Sequence, residues 1–322
     1  GIHWNLSPVV DVNNNPLNPI INTRSFSENA DIVSEFSKKY AKGLQDYGMI
    51  ATAKHFPGHG DTQTDSHSSL AMIPSDSSRL WSLELKPFAT MAEAGVDVVM
   101  VAHVHAPDYQ PEADDPATLS PFWVTDVLKD RLGFDGAIIT DGMGMGGITK
   151  NYSDDYAIVK AVQAGCHIII QNYDMVGSID AIEKAVLDGE ISEQQINSSA
   201  LKMLELKYKV GLNLNPYIGL DLMMKNISTK RNREASNRIA SEAITLVKDS
   251  KGLLPLNASP KDTLYIIDIY DQEYKHSRST VASKIISERI PVRAIQVDES
   301  DKKPILDVIV KSIPKNSQIL IN

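Results

Sequence analysis

The sequence MIATAKHFPGHGDTQTDSH, residues 49–67, joins a short apolar run to a polar loop. The run Met49-Ile50-Ala51-Thr52-Ala53 is typical of a buried strand. Proline and glycine at positions 57, 58 and 60 then prevent any regular element from continuing. The polar residues therefore follow the end of a strand. In α/β folds with parallel strands, that end of the sheet is where ligands bind.

The loop has an unusual density of residues that can do chemistry. Any one of these residues could be a solvated loop side chain or part of a turn. Three histidines, two aspartates and a lysine within fourteen residues are not explained by the needs of a loop alone. The composition of residues 54–67 therefore predicts a functional site, built from Lys54, His55, His59, Asp61, Asp65 and His67.

Within this loop, Asp65-Ser66-His67 places a carboxylate two residues before an imidazole. The carboxylate of Asp65 can accept the N–H of His67, which fixes the tautomer and raises the basicity of the ring. His67 is then a candidate general acid/base near neutral pH. The whole motif KHFPGHGDTxxDSH resembles that of family 3 glycoside hydrolases, in the NagZ-like branch of β-N-acetylglucosaminidases. The resemblance implies that the histidine of the D-x-H pair is the acid/base.

Length and charge restrict the class of protein. The chain has 322 residues, 42% apolar content and a net charge of −9, with a pI of about 5.4. An acidic chain argues against a nucleic-acid partner, and no apolar run is long enough to span a bilayer. The single cysteine, Cys166, excludes internal disulfides and is expected to be a buried structural thiol. For the localisation of the protein, the presence of a second domain slightly favours an exported or cell-envelope protein over a cytoplasmic one.

Strands and helices alternate strictly along the first 211 residues, which is typical of a parallel sheet. Five strands are predicted, over residues 2–12, 49–53, 96–102, 136–140 and 167–171, with helices between them. A doubly wound sheet accommodates five strands; a TIM-type (β/α)₈ barrel requires eight. The resemblance implies the barrel, with its first strands missing from this chain. Both ends of the chain look like cuts through a longer protein.

The remainder of the chain predicts a second domain. Residues 212–230 are interpreted as a linker, Arg231–Val247 as a helix and Gly252–Leu256 as a turn. A new alternating pattern starts at Thr263, and we interpret it as the start of an α/β/α sandwich. The predicted organisation is thus a partial barrel over 1–211, a linker over 212–230 and a truncated sandwich over 231–322.

Asp141 ends a predicted strand in the sequence TDGMGM. From the local sequence alone, an aspartate directly after a strand is about as often a turn or helix cap as a functional residue. The resemblance implies that it is the nucleophile, because the family nucleophile occupies an S/T-D-x-x-x-M segment after such a strand. Gly142 stands where the family often has a second aspartate, which loosens the match. No acidic residue about 20 positions after the glycines at 142, 144, 146 and 147 ends a second strand, so a turn around the nucleophile is favoured over a dinucleotide loop.

Further residues at strand ends complete the predicted site. The resemblance assigns Arg24, Lys54 and His55 to holding the sugar, while Asp11 is interpreted as a structural residue behind them. His103-Val104-His105 has the H-x-H form of some metal sites, but its order relative to Lys54-His55 differs from metal-dependent barrel hydrolases. We therefore predict no metal and no cofactor, and we expect His103 to line the pocket.

Together with these features, the resemblance implies a retaining exo-β-N-acetylglucosaminidase that releases terminal β-linked N-acetylglucosamine. Asp141, His67 and Asp65 would be catalytic, and the resemblance implies a carbohydrate partner such as a peptidoglycan-derived GlcNAc–MurNAc fragment. A β-glucosidase or β-xylosidase of the same family, a phosphorylase, and a non-catalytic sugar-binding fragment remain alternatives. The first pair usually takes its acid/base carboxylate from the second domain and lacks the D-S-H element.

Overall fold

The computed structural model describes residues 1–73, 77–109, 115–170, 174–250, 252, 255, 263–270, 291–298, 309, 311–314 and 318–321. The chain divides into two compact units, Gly1–Ile227 and Ser228–Asn322. This division falls within the segment 212–230 that the sequence predicts as a linker. The exact domain bounds given above stay a prediction.

Parallel strands form the sheet of the first unit. In chain order the strands are β1 (Trp4–Asn5), β2 (Ile50–Phe56), β3 (Ala71–Met72), β4 (Val98–Val101), β5 (Val104–His105), β6 (Ala137–Gly142) and β7 (Ile168–Ile170). Five of them pair in the order β1-β2-β4-β6-β7, and β3 pairs separately with β5. All these pairs are parallel. The predicted α/β fold with a parallel sheet is therefore confirmed.

The first strand is shorter than predicted. Only Trp4–Asn5 is regular, followed by an isolated bridge between Val9 and Lys54. Pro8 lies between them and has no N–H to donate, which limits regular pairing there. The pairing with β2 continues through single hydrogen bonds, including Val10 N–H to the Lys54 carbonyl at 2.7 Å.

The central strands are apolar on both faces, as in other parallel sheets. All four residues of β4 are buried. In β2 the one position that is not buried is Lys54, and in β6 it is Asp141. Both lie near the carboxyl ends of their strands, so the sheet itself places these two side chains at the same edge.

Helices separate the strands. They are α1 (Ala30–Asp46), α2 (Ser77–Ser82), α3 (Leu85–Glu93), a π-helix (Phe122–Arg131), α4 (Gly146–Thr149), α5 (Asp154–Ala164), α6 (Met175–Leu187), α7 (Glu193–Lys209) and α8 (Leu220–Asn226). Short 3₁₀ turns cover Asn22–Arg24 and Ala117–Leu119. The predicted linker therefore contains a helix. No helix within the described residues combines the length and apolar character needed to cross a membrane.

Two helical segments depart from a simple pattern. The segment between the second and third predicted strands forms two helices, α2 and α3, and between them the side chain of Glu84 is buried and lies 3.3 Å from Arg79. In α1 the large side chains of Phe36 and Tyr40 are more than two-fifths exposed, and they pack around Phe26. The buried face of α1 consists of small residues, Val33 being the largest. The face of α1 that joins the hydrophobic core therefore carries small side chains.

The second unit begins with α9 (Lys230–Ala243), shorter than the helix predicted up to Val247. Strands β8 (Leu264–Tyr270), β9 (Val292–Asp298) and β10 (Gln318–Ile321) form a parallel sheet in the order β10-β8-β9. The predicted turn over 252–256 falls largely outside the described residues.

In the first unit, Cys166 is 1% exposed, as expected, and burial raises the pKa of its thiol to about 12.

Candidate active site

A buried carboxylate organises the start of the polar loop. Asp11 is fully buried and lies 2.7 Å from Nδ1 of His55. Its oxygens also accept the backbone N–H groups of His55 at 3.2 Å and His59 at 2.7 Å. Burial raises the pKa of Asp11, but the contacts with His55 and His59 outweigh it and hold the pKa below its ordinary 3.8. Asp11 is therefore ionised and fixes the backbone and ring of His55.

These contacts fix which proton His55 carries. An ionised carboxylate only accepts, so Nδ1 of His55 donates to Asp11. The other ring nitrogen, Nε2, lies 3.4 Å from Nη2 of Arg24. A guanidinium only donates, so Nε2 is the acceptor there. His55 thus joins Asp11 behind the site to Arg24, which is exposed at its surface.

Lys54 lies in the same electrostatic environment. It is half-buried, and its pKa is lowered first by that burial and then by the neighbouring charge of Arg24. Asp141 and Asp11 act in the opposite direction. The three residues predicted to hold a sugar therefore lie together beside the predicted nucleophile.

Asp141 stands at the end of β6. Its Oδ1 accepts the backbone N–H of Gly142 at 2.8 Å. Burial raises the pKa of this carboxyl, whereas His55, His103, the Gly142 amide and Lys54 lower it, and the result lies below the ordinary 3.8. Asp141 is thus a carboxylate at neutral pH, as a nucleophile must be.

A second set of contacts shapes the middle of the loop. Nδ2 of Asn18 donates to the carbonyls of His59 at 2.8 Å, Gly60 at 3.0 Å and Thr62 at 3.1 Å. The ring of His59 is buried, with Nε2 at 2.9 Å from Ser66 Oγ and Nδ1 beside Thr62 Oγ1. Burial lowers the pKa of His59. Of the three loop histidines, His59 is the one that the loop uses for its own structure.

The D-S-H pair has the contact that its spacing predicts. Nδ1 of His67 lies 2.7 Å from Oδ1 of Asp65, and the backbone N–H of His67 donates to the same oxygen at 2.9 Å. Burial raises the pKa of Asp65, but these bonds and the ring of His67 hold it below 3.8. The side chains are 57% and 37% exposed, so His67 is accessible to a substrate.

The loop with His67 is attached to the turn that follows Asp141. The backbone N–H of Gly146 donates to the His67 carbonyl at 2.9 Å, and that of Gly147 donates to the Ser66 carbonyl at 3.0 Å. These bonds join the segment of the predicted acid/base to the segment of the predicted nucleophile, although the two are separated by more than seventy positions in sequence.

His103 lies deeper than the sequence suggested. It is 0% exposed, and Nε2 lies 2.9 Å from the Gly142 carbonyl, which can only accept. Burial lowers the pKa of His103, and its Nδ1 lies 2.9 Å from the Thr118 hydroxyl oxygen. The same hydroxyl donates to the Ala102 carbonyl at 2.7 Å. His103 thus supports the backbone beside Asp141 from within, and contact with a substrate stays a prediction.

Metal ligation has no support in this geometry. Both ring nitrogens of His103 are hydrogen-bonded, and within the part of the chain that the structure describes no three His, Cys, Asp or Glu side chains lie together as metal ligands. His105, the other member of the H-x-H pair, is buried on β5.

Some residues of the site had no assigned role from the sequence. Asn18 lies in a polar segment whose sequence indicates only a turn. Thr118 lies more than a dozen residues from His103, with which it forms a hydrogen bond. The glycines at 146 and 147 were interpreted as a turn, without a partner. The sequence signal for this contact was the unusual number of glycines directly after Asp141, at positions 142, 144, 146 and 147.

Comparison with known proteins identifies a matching family and similar proteins. Residues 1–206 match the model of the glycosyl hydrolase family 3 N-terminal domain. The chain is 32% identical over 277 residues to β-hexosaminidase A of Pseudoalteromonas piscicida, covering 80% of this chain and 45% of that protein. It is 29% identical over 279 residues to a β-N-acetylglucosaminidase/β-glucosidase of Cellulomonas fimi, covering 84% of this chain and 49% of that protein.

A solved structure is similar over almost the whole chain. It is a family 3 β-N-acetylglucosaminidase from Paenibacillus sp. str. FPU-7, with a TM-score of 0.88 and 31% identity, covering 99% of this chain and 62% of that one. The chain spans about half the length of the curated relatives it matches. The family model covers well over half of the 322 residues. The chain therefore belongs to glycoside hydrolase family 3, and its first two hundred residues are the family's N-terminal domain.

Proposed function

We propose that the protein is a retaining exo-β-N-acetylglucosaminidase that releases terminal β-linked N-acetylglucosamine. The observation that carries the proposal is the Asp65–His67 pair, hydrogen-bonded at 2.7 Å in a loop that is attached to the turn after Asp141. The names of the relatives, β-hexosaminidase and β-N-acetylglucosaminidase, support the substrate class. Peptidoglycan-derived GlcNAc–MurNAc fragments are the proposed natural source.

Asp141 acts as the nucleophile in the first step. Its carboxylate attacks the anomeric carbon, the bond to the leaving oxygen breaks, and a covalent glycosyl ester forms. His67 donates its proton to the leaving oxygen in that step. In the second step His67 takes a proton from water, which attacks the anomeric carbon and releases the sugar and the Asp141 carboxylate. Asp65 stabilises the imidazolium form of His67, which donates the proton in the first step and is formed again in the second.

An imidazole suits this position for an electrostatic reason. Retaining glycosidases usually use two carboxyl groups about 5 Å apart, and the second charge raises the pKa of its partner. A deprotonated imidazole is neutral and adds no negative charge near Asp141 or near an anionic substrate. Because a neutral imidazole does not repel an anion, phosphate could replace water as the acceptor in the second step. A phosphorylase is therefore the alternative function within this mechanism.

The sugar is held by Arg24, Lys54 and His55. Arg24 is exposed and donates, Lys54 lies at the edge of the sheet, and Asp11 fixes the ring of His55. Arg24 and Lys54 can donate hydrogen bonds to a hydroxyl group or to a substrate carboxylate, and Nε2 of His55 can accept one from a hydroxyl group. We propose that, in the intact protein, further strands close the five-stranded sheet into a (β/α)₈ barrel around this edge, and that the second unit belongs to an α/β/α sandwich.

The test is turnover of an aryl N-acetylglucosaminide by the intact protein, compared with the matching glucoside and xyloside. We expect release of the phenol from the N-acetylglucosaminide, with free N-acetylglucosamine as the product. Sugar 1-phosphate formed in the presence of inorganic phosphate would establish phosphorolysis instead. Binding of N-acetylglucosamine without any turnover would contradict the enzymatic proposal and leave a sugar-binding protein.

A further inference from the structure

The contact between the D-S-H loop and the turn after Asp141 is made by the backbone of two glycines. Gly146 and Gly147 open the four-residue helix α4, which starts five residues after Asp141. Their N–H groups donate to the carbonyls of His67 and Ser66, at 2.9 Å and 3.0 Å. Two successive N–H groups thus bind two successive carbonyls of the loop.

This approach is closer than a side chain allows. A Cβ on Gly146 would lie 2.5 Å from the Ser68 carbonyl oxygen and 2.8 Å from that of His67, closer than Cβ atoms come to oxygen in proteins. A Cβ on Gly147 would lie 3.1 Å from the Ser66 oxygen and 3.2 Å from Cβ of His103. Both glycines have ordinary backbone angles, so the close approach is the reason for glycine here rather than the conformation.

The loop has a second attachment, through the side chain of Ser66. Oγ of Ser66 lies 2.9 Å from Nε2 of the buried His59. The Asp65 carbonyl accepts the N–H groups of Ser68 and Ser69 at 3.0 Å and 3.1 Å, which makes a compact turn. The exposed ring of His67 is bonded to Asp65, within the same turn. The position of the imidazole therefore follows the position of the turn as a whole.

We infer that Gly146 and Gly147 are positioning residues that set the acid/base against the nucleophile. The inference rests on the proposed function, in which His67 and Asp141 act on the same glycosidic bond. The turn that carries Asp141 provides, five residues later, the surface on which the turn of His67 is held. Displacement of a catalytic group by about 1 Å costs about 100-fold in rate. A methyl group at position 146 would force a shift of this kind.

The experiment uses Gly146→Ala and the milder Gly147→Ala in the intact protein, with Gly43→Ala as the matched control. Gly43 lies inside α1, and a Cβ there would meet nothing within 4 Å. Each variant is assayed with aryl N-acetylglucosaminides whose phenols differ in basicity. We expect Gly146→Ala to lower kcat/KM by about 100-fold for the most basic phenols and much less for activated ones, since only the former need the acid. Gly147→Ala should do the same to a smaller degree, and Gly43→Ala should match the unmodified protein.

A double variant separates positioning from general damage. If Gly146 acts through His67, the variant with both Gly146→Ala and His67→Ala should be no slower than His67→Ala alone. An equal loss for every phenol, or a Gly146→Ala loss that multiplies in full on the His67→Ala background, would overturn the inference. A normal rate for His67→Ala with every phenol would instead refute the proposed function.

Hydrogen exchange on the unmodified protein provides a measurement that does not depend on the folding of any variant. The amides of Gly146 and Gly147 are expected to exchange slowly, because both are hydrogen-bonded to the loop. Rapid exchange of both amides under conditions in which β6 stays protected would show that the loop is not held there, and the inference would be wrong.

Discussion

At the scale of single residues, proton transfer is assigned to one pair. Asp65 and His67 are two positions apart, and one turn of backbone brings the carboxylate to the ring. Because the pKa of Asp65 lies below its ordinary 3.8, the carboxylate stays ionised throughout the neutral range. It therefore faces the imidazole with a full negative charge in both steps of the proposed reaction.

Replacement of His67 by alanine should slow the reaction according to the leaving group. General-acid help is worth about 10²–10⁴-fold where the leaving oxygen is basic and little where the phenol is acidic. We expect a loss in that range for alkyl or poorly activated aryl N-acetylglucosaminides and a small loss for nitrophenyl ones. The measurement is kcat/KM across a leaving-group series. A uniform loss would remove His67 from the acid role.

Replacement of Asp65 by asparagine should shift the alkaline limb of the pH–rate profile to lower pH. An amide cannot stabilise the imidazolium as a carboxylate does, so the ring would give up its proton earlier as the pH rises. The profile of kcat/KM against pH for a substrate with a basic leaving group reports this. An unchanged profile would mean that the contact has no influence on proton transfer.

The contacts of the site residues differ in how well the sequence predicts them. The Asp65–His67 contact could be predicted because both partners lie in one turn. The contact of Asp11 with His55 joins residues forty-four apart, and it depends on two strands becoming neighbours. The burial of His103 could not be read, since it depends on Thr118 and Gly142 arriving from two other segments.

At the scale of elements, β2 and the loop after it are fixed by Asp11. Its folded pKa lies below 3.8, so its contribution to stability is fully present above that pH and is lost as the pH falls through the folded pKa. The carboxylate receives one side-chain and two backbone hydrogen bonds, and it is 0% exposed. Asp11 is therefore a structural support for His55, which we propose to bind the sugar.

The variant Asp11→Asn should lower the free energy of unfolding by about 1–3 kcal/mol at pH 7, as expected for a buried hydrogen-bonded group that loses its partner. The difference from the unmodified protein should narrow as the pH falls below 3.8. Denaturant unfolding at several pH values measures both effects. Asp46→Asn, at a side chain that is 52% exposed, is the control and should change little. A difference that is constant with pH would contradict the ionised state of Asp11.

The elements themselves were partly predictable. Apolar runs indicated the strands because parallel strands are buried on both faces. In α1 the exposure of Phe36 and Tyr40 depends on their packing around Phe26, a contact that the sequence does not indicate. No local signal indicates the interruption between α2 and α3, where Glu84 is buried.

At the scale of the whole molecule, a parallel sheet brings distant positions to one edge. Lys54 and Asp141 are the positions of β2 and β6 that are not buried, and the sheet order places β4 alone between those strands. The sequence could predict the alternation of strands and helices, and the resemblance supplied the family. Neither the order of the strands nor the attachment of the His67 loop to Gly146 and Gly147 can be read from the alternation itself.

The central claim is that Asp141 forms a covalent bond with the sugar. Its chief competitor is substrate assistance, in which the 2-acetamido oxygen attacks and no ester with the enzyme forms. Under that mechanism Asp141 would only orient the acetamido group. A 5-fluoro N-acetylglucosaminyl donor slows both steps and lets an ester accumulate, so it separates the two mechanisms in the intact protein.

The most direct measurement is peptide mapping by mass spectrometry after reaction with this donor. The account predicts one added fluorosugar on the peptide that contains Asp141, and no label on that peptide in Asp141→Asn. Label on another carboxylate, or turnover without any trapped ester while Asp141→Asn stays active, would contradict it.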